Sequence, residues 1–367
     1  MLNVDYGGHG GDLAAAALQF GRPPHTFIDF SSNINPLGPP PGLIAHLQRQ
    51  MDQVARYPQP GAALLRRGLA QRFNLPEERL LVGNGASDLI HLLFLYLRPK
   101  KVLLPVPTFS EYARAACLAG ASVETLLFWE QADPALRAVI SRLQGVDLLV
   151  LCNPNNPIGS YYSPEVMEEL LLAAKRRGVT VLVDESFQPL AGLPPGQSAA
   201  ATGLDNLFVV TSLTKIWALP GLRLGFLAGP GAAIKKLTAC GDPWRVNSLA
   251  QLAGLYCLQH PEHEAKAVAE VNRERSFLQE RLAALPGLTV FPGEANYLLL
   301  RGERNGFAAA LLYRYLGQKG ILIRMAENFP GLDRRYFRIA VRTRRENLLL
   351  LEALGEYFST EQKEAHP

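Results

Sequence analysis

Five apolar runs most restrict what this chain can become: "RLLVGNG" from Arg79, "KKVLLPVP" from Lys100, "VDLLVLCNPNNP" from Val146, "VTVLVDES" from Val179 and "NLFVVTSL" from Asn206. Each reads as a continuous Val/Leu stretch rather than an alternation of apolar and polar residues. Helical patterns lie among them: "ASDLIHLLFLYL", "FSEYARAACLAG" and "SPEVMEELLLAAKRRG". In the last, Ser163 and Pro164 suit the cap and first position of a helix. Continuous apolar strands separated by amphipathic helices indicate an α/β fold with a mainly parallel sheet, buried on both faces. The most polar residues follow the strand ends, where open sheets of this kind bind ligands.

The flanks read differently. "GGHGG" around His9 is too flexible for a helix, and "FSSNINPLGPPPG" is loop-like. Residues 1–40 are therefore expected to form an extended N-terminal arm leading into a first helix at "PGLIAHLQRQM". A large domain spans 41–237. Beyond it, the long helical pattern "EAKAVAEVNRERSFLQERLAAL" precedes "LTVFP", "NYLLLR", "GFAAALLYRYLGQKG", "ILIRMA", "YFRIAVR" and a last helix. That order predicts a smaller α+β domain over 238–367.

Composition removes several classes of function. The chain has 367 residues, 48% of them hydrophobic, with a formal net charge of +4 and no basic tract, so no nucleic-acid surface is expected. "LIHLLFLYL" is about half a membrane span, and the first residues show neither a charged leader nor an apolar signal core. Cys117, Cys152, Cys240 and Cys257 form no Cys-x-x-Cys pair and read as reduced thiols of a cytoplasmic protein. "HPEH" lacks the His-Glu-x-x-His order, so no metal site is expected.

Several pieces carry chemistry only when taken together. Lys215, in "SLTKIWALPGLRLGF", reads alone either as a lysine snorkelling from a helix start or as a nucleophile toward an aldehyde cofactor, its amine activated by desolvation and neighbouring cations. Arg223 in the same run calls for a carboxylate or phosphate, because its planar fork matches two oxygens. With Ser212 and the small-residue turn Gly85, Ala86 and Ser87 before a helix, it can hold an anion. Asp184 ends an apolar strand, as a turn cap or as a carboxylate that keeps a pyridine nitrogen protonated. "NPNNPIG" is a turn in which Asn156 can also donate to a ring oxygen, and Phe109 is either core or a face for a cofactor ring.

In the order Gly-rich turn, aromatic, Asn-Pro, strand-end Asp, Ser-x-x-Lys and Gly-x-Arg-x-Gly, the chain resembles fold-type I pyridoxal-phosphate enzymes of the class I and II aminotransferase group, over essentially its whole length. The resemblance implies pyridoxal 5'-phosphate as cofactor, with Lys215 bonding its aldehyde and Arg223 its phosphate. "HGGD", "DFSSNINPLG", "RYPQP", "PWRVNSLA", "LTVFPGEANYLLLR" and "ILIRMAENFPGLDRRYFRIAVR" narrow it to the branch of threonine-phosphate decarboxylases and histidinol-phosphate aminotransferases, with the closer match to the former. That branch implies decarboxylation of L-threonine O-3-phosphate to (R)-1-aminopropan-2-yl phosphate in cobamide biosynthesis. The alternatives are a histidinol-phosphate or related aminotransferase and a decarboxylase preferring serine phosphate.

Arg324 and Arg338 each sit in an apolar strand, as edge residues or as a pair receiving a doubly anionic substrate. His9 and Asn33 on the arm are further candidate donors to it. Tyr57 resembles the tyrosine that reaches the cofactor phosphate of a neighbouring subunit, implying a homodimer with active sites at its interface. The resemblance further implies that Arg324, Arg338, His9 and Asn33 orient the substrate carboxylate for departure, and that Lys215 returns a proton to Cα. In one place the chain departs from the group's Asp-x-Ala-Tyr pattern: after Asp184 come Glu185, Ser186 and Phe187, so the ring oxygen lacks a hydroxyl donor at 187.

Overall fold

The computed structural model describes residues 10–127 and 134–364. In chain order its strands are β1 (Ile28–Asp29), β2 (Leu80–Gly83), β3 (Lys101–Val106), β4 (Ser122–Leu127), β5 (Leu148–Cys152), β6 (Thr180–Asp184), β7 (Leu207–Ser212) and β8 (Gly225–Ala228). They are followed by β9 (Leu288–Phe291), β10 (Tyr297–Gly302), β11 (Ile321–Leu322), β12 (Arg324–Met325) and β13 (Tyr336–Ala340). Strands β2 to β8 form one sheet in the order β2-β8-β7-β6-β5-β3-β4. Strands β3 to β7 run parallel, and β8 is antiparallel to both of its neighbours.

The apolar runs are continuous because both faces of this sheet are covered. In β6, Val181 and Val183 enter the core on one face while Leu182 enters the core on the other. β5 and β7 divide the same way, with Leu149 and Val209 on the first face and Val150 and Phe208 on the second. Each fully buried aliphatic side chain of this kind contributes roughly 1.5–3 kcal/mol. Ser163 caps helix Pro164–Arg176, whose first residue is proline.

β9, β10, β12 and β13 make an antiparallel sheet in the order β12-β13-β10-β9, with a core of its own. Helix Pro261–Ala283 serves both cores: Ala267 and Val271 pack into the large one, Leu278 and Leu282 into the small one. β1 pairs in parallel with β11, and Phe30 is buried in the small core, so the N-terminal segment is stitched to residues near the C-terminal end of the fold.

Two local expectations need correction. The arm is not extended throughout, since helix Leu13–Phe20 precedes the helix at Leu43–Arg49. Its signals were in the sequence: Asp12 accepts from the Ala15 N–H at 2.9 Å, and four of its residues are alanine, the best helix former. "ILIRMA" is not one strand but two short ones, β11 and β12, broken at Ile323. The break lets the same segment pair with β1 on one side and β13 on the other.

Candidate active site

The sheet order sets the C-terminal ends of β7, β6, β5 and β3 side by side, and the residues that end or follow these strands converge on one cavity of about 670 Å³. Ser212, Asp184, Asn156 and Phe109 all line it, as do Ala86 and Ser87 from the turn after β2. Lys215 and Arg223 reach it from the segment joining β7 to β8. The opposite wall comes from β12 and β13, carrying Arg324 and Arg338, and from the N-terminal segment, carrying Asn33.

Helix Ala86–Leu97 begins here with no side chain capping its first amides. A free helix N-terminus favours anions through its N–H groups and dipole. Two glycines keep the turn open. A Cβ on Gly85 would lie 2.7 Å from Nη2 of Arg223, and one on Gly225 would lie 2.8 Å from the Thr211 carbonyl and 3.0 Å from the Ala86 nitrogen. Gly85 has φ +83°, and Arg223 itself sits in the left-handed region at φ 57°. For a non-glycine residue that conformation costs about 1 kcal/mol or more. The backbone thus bears strain that brings a guanidinium against the bare helix end.

Asp184 is buried, and both of its carboxylate oxygens are engaged. Oδ2 accepts from the Tyr112 hydroxyl at 2.7 Å and Oδ1 from the Ser186 N–H at 2.9 Å. The turn-cap role and the cavity-facing role therefore coexist in one residue. Burial raises its pKa, while hydrogen bonds from Ser186 and Tyr112 and the positive field of Lys215 oppose the rise. Lys215 moves the other way: burial first, then Arg223 and Arg338, lower its pKa to about 8, with Asp184 opposing. Near neutral pH an appreciable fraction of this amine is uncharged and nucleophilic.

On the lobe wall, Arg324 and Arg338 are cross-strand partners in the β12–β13 ladder. Arg338 is buried, donating through Nη1 to Asn156 Oδ1 and through Nη2 to the Ser31 carbonyl at 3.0 Å, with its guanidinium 5.2 Å from the Tyr297 ring centre. Its Nε has no partner. Arg324 donates to the Met325 carbonyl and to Asn328 Oδ1. Burial lowers the pKa of both arginines to about 10, so each stays charged at neutral pH. Asn33 is buried with Oδ1 unpartnered. Among the described residues, no carboxylate forms an ion pair with Arg223, Arg324 or Arg338, whereas two other cavity arginines are matched: Arg114 by Glu111 at 3.7 Å and Arg342 by Glu346 at 2.8 Å.

Not every expected residue joins the site. Tyr57 is 81% exposed, packs at a tilt against Trp244 with ring centres 4.7 Å apart, and does not line this chain's cavity. His9 lies outside the described residues. Phe187 does line the cavity, its ring edge-on to Tyr297 at 4.9 Å, and confirms a wall without a hydroxyl at that position. Sequence reasoning overlooked Tyr112, Ser186, Asp29 and Arg342. Tyr112 had a readable signal, since it follows Phe109 by three residues at a helix start and faces it edge-on at 5.6 Å. Asp29 did not, because only the fold carries β1 to the lobe.

Comparison with known proteins now decides the family. The model of the aminotransferase class I and II family matches residues 25–354. The chain belongs to this family. It is 36% identical over 94% of its length to the threonine-phosphate decarboxylase of Salmonella typhimurium, of which 95% is covered. It is 34% identical over 90% of its length to the histidinol-phosphate aminotransferase of Symbiobacterium thermophilum, 90% of which is covered. The crystal structure of L-threonine-O-3-phosphate decarboxylase from Porphyromonas gingivalis superimposes with a TM-score of 0.79 at 28% identity, covering 90% of this chain and 99% of that one. Like its aminotransferase-family relatives, this protein is a pyridoxal-phosphate-dependent enzyme.

The residues present fit that cofactor. The bare amides at Ala86 and Ser87, Ser212 and Arg223 suit its phosphate, and the glycine turn leaves space where any Cβ would intrude. Lys215 suits its aldehyde, Asp184 its pyridine nitrogen, Asn156 its ring oxygen and Phe109 its ring face.

Proposed function

We propose that this enzyme decarboxylates L-threonine O-3-phosphate to (R)-1-aminopropan-2-yl phosphate, a step of cobamide biosynthesis. One observation carries the reading: three cavity arginines, Arg223, Arg324 and Arg338, form no ion pair with a carboxylate among the described residues, Glu327 and Asp29 acting on the last two only by longer-range attraction. Arg338 is buried and Arg324 half-buried, and cations rarely leave water without a counter-charge, while the exposed Arg223 stands against the bare amides of a helix end. Three anionic groups match them, namely the cofactor phosphate and the substrate's own carboxylate and phosphate. The 36% identity to a threonine-phosphate decarboxylase supports the same substrate. Histidinol phosphate carries a phosphate but no carboxylate and would leave one of the lobe cations unmatched.

Pyridoxal phosphate supplies an electron sink for the pair released when a bond at the substrate Cα breaks. The chain's residues do the rest. Asp184, ionised and held by Tyr112 and Ser186, keeps the proton on the pyridine nitrogen. Arg338 and Arg324, aided by Asn33 and His9, bind the substrate's anionic groups and orient its carboxylate for departure. Lys215, as its ammonium form, would deliver a proton to the substrate Cα. Phe187 leaves the ring oxygen to Asn156, whose Oδ1 is occupied by Arg338, so that its amide N–H remains to donate.

A homodimer is part of this reading. Tyr57 and Trp244 form an exposed aromatic pair with exposed Met51 and Val54 nearby in sequence, which suits a subunit contact that would bring Tyr57 to the partner's cofactor phosphate.

The test is a product assay on the cofactor-loaded enzyme with L-threonine O-3-phosphate alone. Carbon dioxide and the phosphorylated amine should appear together without a keto acid, and serine phosphate should react more slowly, a missing methyl being worth about 1–3 kcal/mol. Turnover of histidinol phosphate only after 2-oxoglutarate is added would replace the proposal with an aminotransferase.

A further inference from the structure

The carboxylate at the end of β6 does not stand alone. Tyr112, in helix Glu111–Leu118, is completely buried, lines the cavity and donates its hydroxyl to Asp184 Oδ2 at 2.7 Å. Cys152 is the cross-strand partner of Asp184 in the β5–β6 ladder, so its thiol packs beside both groups while donating to the Pro154 carbonyl at 3.2 Å. Burial, and the negative field of Asp184, raise the pKa of both the Tyr112 hydroxyl and the Cys152 thiol, so both keep their protons throughout the working pH range. A buried acid surrounded by two proton-bearing neighbours has one direction in which to share charge: Tyr112 can only donate.

We propose that Tyr112 is a positioning residue for the reaction, which fixes the Asp184 carboxylate in one orientation and keeps it ionised, so that the shared proton rests on the cofactor's pyridine nitrogen rather than on Asp184. The inference depends on Asp184 being the partner of that nitrogen. The physical reason is a balance of basicity. Desolvation makes a buried carboxylate a stronger base, and each hydrogen bond donated to it makes it a weaker one. Ser186 contributes a backbone N–H that substitution at its side chain does not remove. Tyr112 contributes a hydroxyl that a single substitution removes without changing the ring that packs against Phe109. Without that hydroxyl, Asp184 competes better for the proton, and the electron sink weakens.

The experiment compares Tyr112→Phe and Asp184→Asn with the parent enzyme, each loaded with pyridoxal phosphate labelled with 15N in the ring. The readouts are the nitrogen chemical shift across pH 6–9, kcat and KM for threonine phosphate, and the melting temperature of the cofactor-free protein. In Tyr112→Phe the nitrogen signal should move toward that of neutral pyridine. kcat should fall about 10- to 100-fold with KM nearly unchanged, the range expected for one hydrogen bond to a charged group. A signal that stays in place in Tyr112→Phe but moves in Asp184→Asn overturns the proposal and leaves the Asp184 reading standing. A signal that moves in neither variant overturns the Asp184 reading and the proposal with it. A lowered melting temperature with an unmoved signal makes Tyr112 merely structural and also overturns the proposal.

Discussion

The two walls of the cavity are built on opposite plans. On the wall made by the ends of the parallel strands most polar groups are matched: Asp184 has donors from Tyr112 and Ser186, and Ser212 has Thr214 beside it at 2.7 Å and the Ser186 hydroxyl under its amide, while Arg223 and the bare helix amides remain for one anion. The lobe wall is matched only in part, for Arg324 and Arg338 hydrogen-bond neutral oxygens alone, Glu327 and Asp29 acting on them from beyond ion-pair distance, and Asn33 keeps a buried acceptor unpaired. The first wall holds its carboxylate fixed and offers Arg223 and the helix end to a single anion, as suits a cofactor with one phosphate. The second becomes electrostatically complete when anions bind. Preorganisation on one side and unmet charge on the other divide the labour between chemistry and selection.

That contrast is open to attack by substitution. The largest effect belongs to the strand-end wall, where Lys215→Ala should lower kcat by about a thousandfold or more, measured as product release from cofactor-soaked protein. A residual rate near that of the parent would break the account of this wall. On the lobe wall the expected effects fall on KM instead. Arg338→Gln, which removes the buried cation, should raise KM for threonine phosphate about a hundredfold, and Arg324→Gln, at a half-buried position, about tenfold. Losses of kcat at unchanged KM would erase the division between the walls.

The smallest effect couples the two. If Lys215 bonds the cofactor as proposed, it reacts as the free amine, and with its pKa lowered to about 8 covalent uptake of pyridoxal phosphate by cofactor-free enzyme should be slow at pH 6.5 and rise through a midpoint near 8. Arg338 is one of the cations that lower this value. Arg338→Gln should therefore move the midpoint to higher pH, as read by the pH dependence of the uptake rate. A midpoint that does not move would mean the lobe cation is not felt across the cavity.

Much of the strand-end wall was legible in the sequence, because short local patterns specify it. "VLVDES", "NPNNP" and "SLTK" each place a polar residue at the end of an apolar run, and parallel order alone then sets them side by side. Tyr112 escaped notice because its partner, 72 residues away, is fixed only by packing. The lobe wall was harder to read. Arg324 and Arg338 were visible as cations in apolar strands, but their cross-strand pairing depends on the β12–β13 register, and the Ser31 carbonyl reaches Arg338 only through the β1–β11 stitch. The helix at Leu13–Phe20 had ordinary local signals, which the glycine-rich residues before it obscured.

The most direct test of the partly matched lobe wall is kcat/KM for L-threonine O-3-phosphate measured against L-threonine on the same enzyme preparation. If the two lobe arginines await two anions, removing the phosphate leaves a desolvated cation unpaired, and the phosphorylated substrate should be preferred by about a thousandfold or more. Comparable values for the two compounds would contradict the account, because the unmatched charge on that wall would then serve no substrate group.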